Sequence, residues 1–416
     1  MSEPENKELR EILVARIQSQ ERISFAEFMG LALYHPRHGY YNSSREIIGP
    51  EGDYFTSPGI HPIFGKLLAR QLSQMWEILG RPSPFFLIEI GAGNGLLCAD
   101  ILSHSRDFFP EFFENLRYLL GDQSPAMREK QKALLAGFHP RVEWMDGRNL
   151  LDAEEKYAGC VLSNELIDSF PVHIVQQSEG RIQEIFVTLR DDSFAETLGD
   201  PSSPALAEYL RLYGAPLQDG QRAEINLQAL TWLEKANRAL ERGFILTIDY
   251  GFEAEALYAP SRRDGTLLAY FRHGAFSDPY RRLGLQDLTA HVNFTALIRK
   301  GEELGLRKIG FADQYKFLLA LGLLQEMEAF ETKSGLYPAA EFLKNKLAMK
   351  HFLIPGSMGT LFKVLAQGKA VGNPELIGFG DPFHPFHPSP PCPGERGGGG
   401  GVPIGKGLTK FKDSER

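Results

Sequence analysis

FFLIEIGAGNGLLCADIL, residues 85–102, holds a strand, a glycine turn and the opening of a helix in one unbroken stretch. An apolar run that ends at glycines is the pattern of a strand covered on both faces, as in a parallel sheet. Gly91, Gly93 and Gly95 let the chain turn tightly and approach a ligand, whose anionic group can then sit at the N-terminus of the following helix. A strand-to-helix turn without a ligand would use the same glycines. Position 96 is Leu, so the spacing is GxGxG and the dinucleotide fingerprint GxGxxG is not met. No Gly-Lys-Ser/Thr follows, which removes the phosphate loop as well.

The alternation continues outward from this stretch. Short apolar runs at Tyr118–Leu120, Val142–Met145, Cys160–Leu162 and Phe244–Ile248, with helical patterns between them, predict an α/β sheet with right-handed crossovers. From Val172 to Thr188 two β-rich runs flank Ser-Glu-Gly and predict a hairpin inserted after the fourth strand. The chain from Phe317 to Met349 reads as mostly helical, and MGTLFKVLA at 358–366 as a last strand. Upstream, Leu9, Ile12, Leu13 and Ile17 recur at helical spacing, and Ser24 with Glu27 has the spacing of a capping box. The segment GPEGDYFTSPGIHP at 49–62 is a long polar, Gly/Pro-containing loop, the type that serves as a lid or binding segment.

Composition bounds the function classes. The chain has 416 residues, 43% hydrophobic and 24% charged, with mean hydropathy -0.23 and no run near the roughly 18 apolar residues of a membrane span. With 45 basic against 53 acidic residues the net charge is -8, so no bulk positive field exists to gather nucleic acid. Cys98, Cys160 and Cys392 are too few and too scattered for a disulfide framework or a zinc cage, and no metal site is expected. His384 and His387 lie in a Pro-rich stretch that would bind metal loosely at best. Glu3, Glu5 and Glu8 precede the first apolar residues, unlike a transit or signal peptide, so the expectation is a cytoplasmic, bacterial-type protein. Much of the excess in 42 Gly and 26 Pro lies near the C-terminus, and residues 367–416 read as a disordered Gly/Pro-rich tail.

An acid before a GxGxG turn resembles a class I S-adenosylmethionine site, with Glu89 near the ligand's amino group and the backbone of Gly91, Gly93 and Gly95 beside its carboxylate. Asp122 ends the second strand, where a carboxylate can accept hydrogen bonds from both ribose hydroxyls. Met145 and Asp146 end the third strand, at the expected adenine neighbourhood.

The chain as a whole resembles the MidA-type S-adenosylmethionine-dependent methyltransferases, relatives of the mitochondrial complex I assembly factor that methylates a protein arginine. The resemblance runs from about residue 9 to 366. It rests on ISFAEFMGLALYHPRHGYY, GDYFTSP, IEIGAGNG, LSNELIDSFPVH, LTIDYG, GTLLAYFRH, QDLTAHVNFTAL and MGTLFKVL. Two departures occur: Gly59 stands where the family often has Glu after Ser-Pro, and the glycine before the DLTAHV block is displaced to Gly284.

The resemblance implies an α/β class I methyltransferase fold, Rossmann-like, with a mixed seven-stranded sheet and inserted hairpin and helical substrate-recognition segments. It divides the chain into an N-terminal helical lid segment (1–84), a methyltransferase domain (85–366) with insertions near 170–240 and 251–350, and the tail. The cofactor would be S-adenosyl-L-methionine and the partner a protein substrate, with a respiratory complex I subunit as candidate and a homodimer left open. Thr56, Ser57 and Pro58 would line the lid over the cofactor. Glu165 and Asp168 would grip the acceptor, because a guanidinium nucleophile must be oriented by carboxylates that also accept its proton. Asn164 would contact donor or acceptor by its amide, although Asn164 or Asp168 could instead cap a turn. Asp249 is readable both as an acceptor contact and as the brace of a strand-end turn. His291 could relay a proton, or simply satisfy backbone groups. Methylation of a small molecule, and a non-catalytic assembly chaperone with this fold, are the alternatives.

Overall fold

Seven strands form the main path of one mixed sheet, to which the short Val292–Asn293 adds an eighth by pairing with the end of Leu240–Phe252, in the computed structural model, which describes residues 5–382 apart from 44, 50, 147–150, 152–154 and 355–357. In chain order they are β1 (Phe85–Ile90), β2 (Leu116–Asp122), β3 (Val142–Asp146), β4 (Tyr157–Asn164), β5 (Leu240–Phe252), β6 (Arg307–Asp313) and β7 (Phe362–Lys369). Their spatial order is β3-β2-β1-β4-β5-β7-β6, with only β7 antiparallel to its neighbours. This is the mixed seven-stranded sheet that the resemblance implies. The order reverses between β1 and β4, and open α/β sheets bind ligands at such a switch point, beyond the strands' carboxyl ends.

Alternation explains why β1 sits at the centre. Phe85 and Leu87 pack into one apolar cluster with Leu97 and Ile101, while Ile88 and Ile90 pack into a second cluster with Ile167 and Val292 on the opposite face. Helices cover both faces, so the strand carries almost no polar side chain.

Two smaller sheets complete the molecule. His173–Ser178 and Arg181–Arg190 form the expected hairpin, turning at Glu179 (φ 50) and Gly180 (φ 77), the left-handed pair that a two-residue hairpin turn requires. Ile23–Ser24, Ser193–Gly199 and Arg222–Ile225 extend it to five strands. Ile23 thereby fixes the N-terminal helices α1 (Lys7–Gln20) and α2 (Phe25–Tyr34) against the insertion. The Ser24 hydroxyl caps α2 by accepting from the Glu27 amide, 3.1 Å. Leu268–Phe271, Gly274–Phe276 and Asp287–Thr289 form the third sheet.

The mostly helical reading of Phe317–Met349 holds, as the helices Gln314–Ala320, Leu323–Glu331 and Ala339–His351, with Gly322 at φ 97 and Pro338 as the punctuation. The structure corrects two expectations. The last strand begins at Phe362, not Met358, because Met358–Leu361 forms a helical turn first. Residues 367–382, assigned to the tail by composition, are ordered. Leu376 is buried, Phe379 packs on Phe317 at 5.2 Å between ring centroids, and the fully buried Gln71 of α3 (Ile63–Ile78) accepts the Gly378 amide at 2.8 Å. Gln74 adds two bonds, accepting the Ile377 amide at 2.9 Å and donating to the Glu375 carbonyl at 3.0 Å, so two glutamines of one helix anchor a stretch that composition treats as featureless. The rest of the tail, with His384 and His387, lies outside the described residues.

Gln71→Leu removes that acceptor and leaves a buried amide without a partner, so the folded state should lose about 1–3 kcal/mol. Limited proteolysis should then cut within 370–382 before the rest of the chain. Unchanged melting and cutting would show that the segment is not held this way.

Candidate active site

The principal cavity opens at the carboxyl ends of β1, β2 and β4 and spans about 1050 Å³, its open mouth included. The glycine loop forms its floor. Gly91, Gly93 and Gly95 have φ of 72, 54 and 85, all in the left-handed region that residues with a Cβ rarely adopt. A Cβ on Gly91 would stand 2.8 Å from Leu166 Cδ1, and one on Gly93 3.2 Å from Ile48 Cδ1 of the lid. The loop therefore leaves backbone, and no side chain, at the place where a ligand would lie.

Two carboxylates flank the loop. Glu89 is buried on β1, takes a 2.7 Å hydrogen bond from the Tyr118 hydroxyl, and is pushed up to about 7 by burial. Asp122 ends β2 and is raised by burial too. Its Oδ1 accepts the Ser124 amide at 2.9 Å and its Oδ2 the Gln131 side-chain amide at 2.9 Å. That same Gln131 amide donates to the Gly93 carbonyl at 2.8 Å, tying the acid to the loop. Sequence reasoning missed Gln131. It lies on α4 (Pro125–Leu135; the helix after the loop is Leu96–Phe108), in no glycine or acid pattern, and only the fold brings it under both groups.

Met145 and Asp146 end β3 in register with Gly121 and Asp122. Met145 packs against the apolar cluster of Ile90 and Leu119 and is not among the residues lining the cavity. The Asp146 side chain lies outside the described residues. Thr56 and Pro58 line the cavity from the lid, as do Tyr34, Tyr41, Tyr54 and Ile48. Ser57 is fully buried and its backbone amide donates to Glu165 Oε1 at 2.7 Å.

Glu165 follows β4 in a left-handed conformation (φ 53), its amide bonded to the Ile248 carbonyl at 2.9 Å. The Asn164 side-chain amide donates to Glu165 Oε1 at 3.2 Å, while Asn164 Oδ1 is buried without a partner. Both residues line the cavity. Burial pushes the Glu165 carboxyl up to about 8. Asp168 sits in the short 3-10 turn Ile167–Ser169, so its side chain leaves the cavity wall and is directed into a neighbouring buried region. There Asp168 Oδ1 lacks a partner at strict hydrogen-bond distance, and the Tyr250 hydroxyl faces the carboxyl closely enough to lower it against the effect of burial.

Asp249 lies behind that turn. Its Oδ2 accepts the amides of Ile167 at 2.9 Å, Leu166 at 3.2 Å and, more distantly, Asp168 at 3.4 Å; its Oδ1 accepts the Tyr250 amide at 2.9 Å. The arrangement is that of a brace, fully buried and away from the cavity. His291 is also off the cavity wall. Its amide donates to the Thr266 hydroxyl at 3.1 Å, its ring lies 5.1 Å from that of Tyr250, and burial, with Arg262, lowers it to about 4. Among the described residues no group of three or more His, Cys, Asp or Glu could hold a metal ion.

Comparison with known proteins accords with this geometry. Residues 67–312 match the family described as "Putative S-adenosyl-L-methionine-dependent methyltransferase". The chain is 28% identical over 380 residues to the mitochondrial protein arginine methyltransferase NDUFAF7 homolog of Drosophila melanogaster, covering 85% of this chain and 83% of that one. It is likewise 28% identical to the mitochondrial protein arginine methyltransferase NDUFAF7 of Bos taurus, with 85% and 82% covered. A crystal structure of a Burkholderia thailandensis protein bound to S-adenosyl-homocysteine superposes with TM-score 0.81 at 30% identity, covering 90% of this chain and 94% of that one. The chain belongs to this family of S-adenosyl-L-methionine-dependent methyltransferases, and S-adenosyl-L-methionine is its cofactor. The residues present fit that cofactor: a side-chain-free glycine cradle, a strand-end carboxylate beside it, and a buried, unpartnered Asn164 oxygen on the wall.

The named relatives are mitochondrial proteins, which overturns the cytoplasmic location expected from the N-terminus. An acidic N-terminal segment shows only that those residues do not read as a leader and carries no information on compartment.

Gly91→Val forces a β-branched residue into φ 72 and against Leu166. Affinity for S-adenosyl-homocysteine, read by calorimetry, should fall at least about tenfold. A second expectation concerns pH. The folded value of Glu165 lies above its ordinary one, so between about 4.5 and about 8 the folded chain keeps a proton that the unfolded chain releases. Stability of the ligand-free protein should therefore fall as pH rises through that window, and Glu165→Gln should flatten the slope of melting temperature against pH.

Proposed function

We propose that this methyltransferase acts on an arginine side chain of a protein, and that Glu165 and Asp168 hold the acceptor. The observation that carries the reading is a carboxylate, Glu165, on the wall of the cofactor cavity, with a second, Asp168, buried three positions on and its Oδ1 without a partner at hydrogen-bond distance. The relatives' description as protein arginine methyltransferases supports it.

When bound, the cofactor supplies a sulfonium methyl for in-line displacement, in which positive charge at sulfur is lost. The protein's task is alignment, exclusion of water and removal of a proton. Arginine is otherwise always protonated, so the nucleophilic nitrogen becomes available only beside a group that fixes the guanidinium and accepts its proton. Glu165, raised toward neutrality by burial, is suited to that exchange. Asn164 orients Glu165, Asp249 holds the turn on which both acids stand, and Thr56 and Pro58 close the lid side. Glu89, Gly91, Gly93, Gly95 and Asp122 hold the cofactor in this reading. A respiratory complex I subunit is the protein substrate we favour, on the strength of the family resemblance.

Glu165→Gln should lower transfer of labelled methyl to protein by about a hundredfold while leaving cofactor affinity within about threefold. Labelled protein from a mitochondrial extract should yield methylarginine on acid hydrolysis. Label confined to molecules below protein size, or recovered in another amino acid, would overturn the arginine assignment.

A further inference from the structure

Behind the tyrosine wall of the cofactor cavity lies a second polar region, a chamber of packed, buried side chains. The strand Asp287–Thr289 pairs with Leu268–Phe271, placing Asp287 opposite Tyr270, and the Ala290 amide donates to the Asp168 carbonyl at 2.9 Å. These contacts bring Asp287 and Thr289 to the same buried space as the Asp168 side chain. Tyr41, whose ring lines the cofactor cavity, sends its hydroxyl into this chamber to donate to Asp287 Oδ1 at 2.7 Å. The two spaces therefore share a wall.

The polar groups of the chamber are only partly satisfied by one another: Tyr41 donates to Asp287, and the Tyr250 hydroxyl stands between Asp168 and Thr289. Asp287 is 3% exposed, and both of its hydrogen bonds, from the Tyr41 hydroxyl and the Leu288 amide, fall on Oδ1. Asp168 is 6% exposed with Oδ1 unpartnered, and Thr289 is 5% exposed with Oγ1 unpartnered. Neither acid forms an ion pair among the described residues, and burial together with mutual repulsion holds Asp287 far above the carboxylate range. Nearby Asp53 shows the contrast: equally buried, it is paired with Arg45 and accepts from the Tyr40 hydroxyl and the Arg272 amide. Two buried acids without a cation are costly to the empty protein, and a cation that enters between them removes that cost. A planar group with several donors matches two carboxylates and a hydroxyl better than a compact ammonium does.

We propose that Asp287, together with Asp168 and Thr289, forms the far side of the acceptor slot, so that the substrate guanidinium is held between Asp287 there and Glu165 at the cofactor. The inference rests on the arginine reading above and adds a binding residue to it. Tyr41 orients Asp287 and separates it from the cofactor. Asp287 makes no contact with the methyl donor; its part is to fix the depth and angle at which the acceptor enters.

The test uses the full chain saturated with S-adenosyl-homocysteine and titrated calorimetrically with N-acetyl-L-arginine amide. The neutral analogue N-acetyl-L-citrulline amide serves as control. The wild-type protein should bind the arginine probe and not the citrulline probe. Asp287→Asn should bind the arginine probe at least about tenfold more weakly, with unchanged affinity for S-adenosyl-homocysteine as proof of folding. Asp287→Ser, which shortens the side chain and leaves the slot open, should behave alike and serves if the first variant does not fold. Equal arginine-probe affinity in wild type and either folded variant would overturn the role of Asp287 while leaving the arginine reading in place. Absence of arginine-probe binding to the wild-type protein would also overturn the slot. The arginine reading then stands or falls separately, on the amino acid that carries the label in the extract assay.

Discussion

One carboxylate supports the whole acceptor side of the site. Asp249 is buried at the end of the central strand β5 and accepts the amides of Leu166, Ile167 and Tyr250, with that of Asp168 at the limit of contact. Those amides belong to the turn that follows β4 and to β5 itself, so a single side chain joins the two strands where the sheet order brings them together. Burial and the neighbouring Asp168 hold Asp249 well above the carboxylate range, and the donors aimed at it oppose that shift and fix the backbone on which Glu165 and Asp168 stand. Glu165 and Asp168 lose their placement if that turn moves.

The cofactor side is built on a different principle. The glycine loop contributes absence of side chains, and its shape is held from outside, by Gln131 reaching both Asp122 and the Gly93 carbonyl. The lid then approaches from the N-terminal segment, with Ile48 in contact range of Gly93 and the Ser57 amide on Glu165. The N-terminal segment and the strand ends of the sheet thus converge on one crevice. This accounts for the length of the protein, since the N-terminal helices and the hairpin after β4 bury their apolar faces together through Ile23 and Val187.

Much of this was legible in the sequence, for identifiable reasons. The central strands announced themselves because burial on both faces demands unbroken apolar runs, and the glycine turn because φ near 72 or 85 leaves few other residues. Glu89, Asp122, Glu165 and Asp168 stand at strand ends, where periodicity stops and chemistry begins. Groups whose meaning is purely three-dimensional were not legible. Gln131 and Gln71 are ordinary helix residues until the fold places a strand end over one and a Gly/Pro stretch over the other. The resemblance assigned Glu165 and Asp168 together to the acceptor; the 3-10 turn separates them, one on the cavity wall and one off it. Composition, finally, cannot see that two glutamines of one helix order residues whose glycines and prolines read as tail.

The bond from the Ser57 amide to Glu165 couples two parts of the site. In the proposed reading the carboxylate oxygen that secures the lid also faces the space an acceptor enters, so acceptor and lid draw on one group. By linkage, whatever strengthens the grip of Glu165 on one partner alters its hold on the other to the same degree.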